Sequence, residues 1–133
     1  MELDRHVRYS SISACIANEE YEYGLALIAK KLKVAKISGH LEDECWYYLL
    51  IAYTYYRFGY LPLCIQYSQK ALKHSDIVDD CIIIEAYLIR SIAHLAQGKY
   101  QRVYDAIQEC LTLNPRNEDV LKMLEVLKMK GFN

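Results

Sequence analysis

The chain is poor in residues that interrupt helices, with only five glycines and two prolines among its 133 residues. So few breakers exclude a collagenous, linker-like or loop-dominated chain and leave room for long regular segments. An excess of charge of one sign is missing too. Sixteen Lys and Arg stand against 17 Asp and Glu, which gives no electrostatic footprint for nucleic acid or an anionic membrane surface. No apolar run spans a bilayer. The longest, 81–96, is interrupted by Glu85, Arg90 and His94 and falls short of the roughly 18 residues a crossing needs. Residues 1–6 carry two acidic side chains and no apolar stretch of the kind a secretory leader requires. The five cysteines are an odd, widely spaced set without a CxxC pair, so neither a disulfide framework nor a zinc site is expected. These absences predict a soluble protein of the cytoplasm or nucleus with no membrane and no nucleic-acid partner.

What the chain does have is tyrosine. Thirteen of its 16 aromatic residues are Tyr, and eight of the 16 fall between Trp46 and Tyr60. With 53% hydrophobic and 25% charged residues, the chain is globular rather than disordered. Nearly all of it reads at helical period, and the breaks delimit seven predicted helices: 4–17, 21–36, 43–57, 62–74, 81–97, 100–112 and 118–130. Pro62 suits a first helical turn, where its missing N–H costs nothing. Gly98 can take the left-handed conformation that closes a helix, and Asn117 is a good N-cap for the last one, followed by Glu118 and Asp119. In that last helix Val120, Leu121, Leu124 and Leu127 predict a single apolar stripe. The run 81–96 is apolar nearly all round, which places it between neighbours at the centre of a stack.

An internal repeat emerges when Gly59 is set against Gly98. Tyr48-x2-Ile51-Ala52-x2-Tyr55 then matches Tyr87-x2-Arg90-Ser91-x2-His94. Downstream, Cys64-x3-Ser68-x2-Ala71-Leu72 matches Val103-x3-Ile107-x2-Cys110-Leu111, and Asn114-Pro115 closes the second copy. A third copy at the N-terminus reads Ile12-x2-Cys15, then Tyr21-x2-Gly24-x3-Ile28-x3-Leu32, with Arg8 and Ser11 where large apolar residues are usual. The small residues Ala52, Ser91, Ala71 and Cys110 let paired helices approach closely, and the large ones fill the space between them.

This spacing resembles the tetratricopeptide repeat family. The resemblance covers roughly residues 5–130. It implies an all-α, right-handed helical-hairpin solenoid in a single domain, 1–133, with repeats near 5–38, 45–78 and 84–117 and a capping helix at 118–130. Arg90, His94 and Ser68 depart from the family's usual types, and Cys64 and Val103 stand where Ala is usual. Copies recur at 39 to 40 residues, counted from Gly24 to Cys64 to Val103, and the residues added to the usual repeat fall at 33–42 and 76–81.

No catalytic or cofactor-binding pattern is present: there is no phosphate-cradling glycine loop, nucleophile elbow or HExxH. His6, His40, His74 and His94 are scattered. His94 stands at an aromatic packing position and reads as a satisfied, half-buried histidine. Asp79-Asp80 reads as a solvated loop, and Lys30, Lys31 and Lys33 as a solvated face. The expectation is a non-enzyme with no metal and no cofactor.

The aromatic cluster is the remaining constellation. The repeat commits Tyr48, Ile51, Ala52 and Tyr55 to packing and leaves Trp46, Leu49, Leu50, Tyr53, Tyr56 and Arg57 for the other side of that helix. In the resembling family that side lines a concave groove, continued here by Glu85, Leu88, Ile89 and Ile92. Trp, Tyr and Arg together compose a binding hot spot. Family members that clamp the acidic C-terminal tails of chaperones use cationic groove residues. Here the matching positions are Tyr9, Ser13, Leu50, Glu85 and Ile89, none of them cationic, so that partner is not expected. The expected function is an interaction module or adaptor that buries an apolar or aromatic segment of a protein partner. The alternative is a scaffold subunit that homodimerises through the same surface within a larger complex.

Overall fold

The computed structural model describes residues 15–132, and among these it is all-helical with no strand. Residues 15–17 are helical; the rest of the predicted helix 4–17, with Tyr9 and Ser13, lies outside the described residues. Six further helices follow: α1 (Tyr21–Ser38), α2 (Leu41–Phe58), α3 (Leu61–Leu72), α4 (Asp80–Ala96), α5 (Tyr100–Leu113) and α6 (Glu118–Met129).

The helix ends follow from local chemistry. Gly59 closes α2 at φ 97°, and Gly98 at φ 73° performs the same left-handed turn beyond α4, a conformation a side chain would strain. Pro62 lies in the first turn of α3. Asn117 caps α6, its Oδ1 accepting from the Val120 N–H at 3.0 Å. The repeat spacing exceeds the usual length for two different reasons. Residues 33–42 extend α1 and begin α2, leaving only a two-residue joint at 39–40. Residues 76–81, in contrast, mostly form the α3–α4 connection, pinned by buried Val78.

Each helix packs against its neighbours in sequence, and α2 also packs directly on α4. This arrangement is consistent with a helical repeat. As expected from its apolar circumference, α4 contacts three helices: α2, α3 and α5. The core is a series of clusters rather than one centre. Ile16, Ile28, Tyr47 and Ile51 join α1 to α2; Cys45, Leu49, Ala52, Cys64, Ile82 and Ala86 join α2, α3 and α4; Ile84, Val103, Ile107, Val120 and Leu127 join α4, α5 and α6. The small residues of the repeat pattern, Ala52, Ala71, Ser91 and Cys110, are all buried. A similar approach joins residues 15–17 to α1, where a Cβ placed on Gly24 would sit 3.3 Å from the Cys15 Cβ.

One local expectation needs correction. Leu121 is exposed rather than part of the stripe of α6, which consists of buried Val120 and Leu127 with half-buried Met123 and Leu124. Four cysteines are buried, and Cys81, in the first turn of α4, is exposed.

Candidate functional site

Trp46, Leu49, Leu50 and Tyr53 fall at i, i+3, i+4 and i+7 on α2 and therefore share one helical face. Glu85, Leu88, Ile89 and Ile92 repeat that spacing 39 residues later on α4. Because α2 packs directly on α4, the two stripes meet, and these eight residues line one open depression of about 370 Å³.

Its parts differ in burial. Leu49 and Ile89 form the floor and belong to the core, whereas Trp46, Leu50, Tyr53, Glu85, Leu88 and Ile92 are half-buried walls. The walls expose indole, phenol and branched aliphatic surface, and Glu85 is the only acidic group among the lining residues. Such a surface can bury an apolar side chain and orient it through a few polar edges. The Tyr53 ring is further fixed by stacking on Tyr56 at 6.2 Å between centroids.

Eight of the ten residues singled out in the sequence thus converge, and two do not line the depression. Tyr56 packs against the core cluster of α2, α3 and α4 and supports Tyr53 from behind. Arg57 is exposed at the end of α2. Its guanidinium is held above its ordinary pKa first by a hydrogen bond to Tyr53, then by the charges of Tyr21 and Tyr53.

The opposite face of α2 is filled. Tyr67 of α3 stacks on Tyr55 at 5.8 Å and lies 6.4 Å from Tyr48. Lys70 sits 4.5 Å above the Tyr67 ring and Lys36 5.5 Å above Tyr48. Hydrogen bonding to Tyr48 is the largest cause raising the Lys36 pKa.

Sequence reasoning missed a second recess, on α4. His94 is buried, as its packing position implies, but it is not satisfied: its Nε2 has no hydrogen-bond partner. The departure of Arg90 and His94 from the repeat's residue types was the signal that could have marked this place.

A scan against protein-family models gives no match, and a search of curated proteins finds no relative. Among the described residues, fold and surface define the class: packed helical hairpins with an apolar depression between α2 and α4.

Proposed function

We propose that the chain is a non-enzymatic interaction module, a right-handed solenoid of the tetratricopeptide type, that binds a segment of a protein partner between α2 and α4. One observation carries this reading. Two helices present the same four positions, 46/49/50/53 and 85/88/89/92, to one apolar depression, although helix packing alone requires only the floor residues.

The occupant is an apolar or aromatic segment with a basic residue beside it. The walls supply Trp46, Tyr53, Leu88 and Ile92, while Glu85 repels acidic segments and complements a basic one. Trp46, the single tryptophan, reports on occupancy directly. Peptides selected from a random library against the full chain should shift Trp46 fluorescence, carry that signature, and lose about tenfold or more in affinity for Tyr53→Ala/Ile92→Ala. Salt should weaken them only slightly, because the contact is mainly apolar. Selected peptides that bind the double variant as well as the wild type would sink the reading.

A second reading, self-association, is favoured by a different face. On α1 the outward positions carry Tyr23, Val34 and Ile37, at 64%, 64% and 78% exposure, on one face with Leu27 at successive spacings of four, seven and three residues. Glu19, Glu20 and Glu22 flank the start of this helix, and Lys30, Lys31, Lys33 and Lys36 its second half. A second copy packed antiparallel on this face sets each acidic end against a basic one. Sedimentation should then show a concentration-dependent dimer that Val34→Glu abolishes. A monomer throughout the micromolar range rules this reading out.

A further inference from the structure

Tyr87, Arg90 and His94 lie on the face of α4 opposite the depression, by helical geometry. With Gln69 of α3 and Arg102, Asp105, Ala106 and Glu109 of α5 they line a second cleft of about 470 Å³. Its interior is chemically incomplete. His94 is 4% exposed, and both its Nε2 and the Arg90 Nε are buried without a hydrogen-bond partner. Neither Arg90 nor Arg102 forms an ion pair among the described residues. The Arg90 guanidinium instead lies over the Tyr87 ring, 5.1 Å from its centroid.

Two carboxylates, Asp105 and Glu109, also line the cleft, but neither pairs with Arg90 or Arg102 among the described residues. Asp105 Oδ1 accepts from Gln101 Nε2 at 2.9 Å on its own helix. Burial, and then Arg102, lower the Arg90 pKa, offset only by Tyr87 and Cys110. Burial, and then Arg90, Arg102 and Lys99, press His94 down to about 4. With its pKa pressed down in this way, the His94 imidazole is neutral near pH 7. A neutral imidazole with a free Nε2 can place a donor there by choice of tautomer.

The preceding hairpin shows what the space is for. Ala106 corresponds to Tyr67 at the 39-residue offset, and Arg90 and His94 correspond to Ile51 and Tyr55. In the α2–α3 hairpin the Tyr67 ring stacks on Tyr55, whereas in α4–α5 Ala106 takes its place and the cleft is lined by Arg90 and His94, whose Nε and Nε2 have no partner. Leaving such groups unsatisfied is costly, and a ligand that accepts from them recovers that cost on binding.

We propose that this cleft binds a small aromatic carboxylate. Its ring occupies the space beside Ala106 that Tyr67 fills one hairpin earlier. Its carboxylate accepts from the Arg90 Nε–H, the Arg102 guanidinium and the His94 Nε2–H, a charge-assisted arrangement suited to planar anions. The site is separate from the α2–α4 depression and does not depend on the function proposed for it.

The test is titration of the full chain with benzoate, benzamide and inorganic phosphate, read by the imidazole NMR signals of His94 and by calorimetry. Benzoate should shift the His94 signals and bind about tenfold or more tightly than benzamide, which has its shape but no charge. Phosphate, an anion without a ring, should bind more weakly than benzoate. Ala106→Tyr should abolish benzoate binding and leave the helical circular-dichroism spectrum unchanged. If that variant does not fold, Arg90→Leu serves in its place, with about a tenfold or greater loss. No benzoate binding in the millimolar range, benzamide or phosphate matching benzoate, or Arg90→Leu binding like wild type would each overturn the proposal.

Discussion

The hairpins α2–α3 and α4–α5 set the same positions around the same recess and treat it in opposite ways. The first fills it with Tyr48, Tyr55 and Tyr67 beneath Lys36 and Lys70. The second surrounds it with Arg90, His94, Arg102 and Ala106 and leaves it open. The first is the stabilising solution: aromatic rings bury large areas, and offset contacts between them add about 0.5–1.5 kcal/mol per pair. The second retains buried donors without acceptors, which local stability opposes. A pair of hairpins built on one pattern thus fills the recess in one copy and leaves it open in the other.

The sharpest way to break this contrast is to empty the filled recess. Tyr67→Ala should destabilise the protein by about 3 kcal/mol, read as a lower urea midpoint at unchanged m-value. The converse experiment gives the second hairpin the side chains that stand at Ile51 and Tyr55 in the first. Arg90→Ile with His94→Tyr removes the unpaired groups and should stabilise by about 1–2 kcal/mol. Destabilisation by that double variant would mean that Arg90 and His94 are satisfied in solution and that the two recesses are energetically alike.

Acid separates the hairpins further. The folded pKa of His94, about 4, lies below the ordinary 6.5. Between those values the unfolded chain therefore binds a proton that the native state refuses. The His94 contribution is complete above pH 6.5 and is lost as pH falls toward 4. His94→Phe should flatten the acid limb of stability against pH in that window, and an unchanged limb would show that His94 titrates normally. The smallest effect is kinetic. Burial pushes the thiols of Cys64, in the filled hairpin, and Cys110, in the open one, up to about 11, so both label only through local opening. Exposed Cys81 should react first with a maleimide, and Cys110 should precede Cys64 if the open recess is the weaker one.

Much of the helical layout was legible in the sequence because its punctuation is local. Gly59, Pro62, Gly98 and Asn117 each act within one turn, and the predicted ends of the six described helices fall within about two residues of the observed ones. The depression was legible because a four-residue stripe repeated at a fixed offset must meet itself when the helices pack. Tyr56 and Arg57 were included because they share that side of α2, but the depression ends before the last turn, a limit set by where α4 lies. The open recess was not legible. Arg90 and His94 stood out only as unusual residues at packing positions, and Ala106 is an ordinary small residue in a helix. That a ring is missing there follows only once α3, α4 and α5 are assembled and compared with the hairpin before them.

The burial of α2 bears on how the chain can be divided. Of its 18 residues only Glu42 and Arg57 are exposed, so this helix has almost no side of its own to offer water. A fragment ending after Phe58 would uncover Tyr48, Tyr55 and the floor at Leu49 together, and would associate or collapse rather than fold. A cut at the α2–α3 joint, though it falls in a two-residue turn, thus parts α2 from the two helices that cover it, α3 and α4.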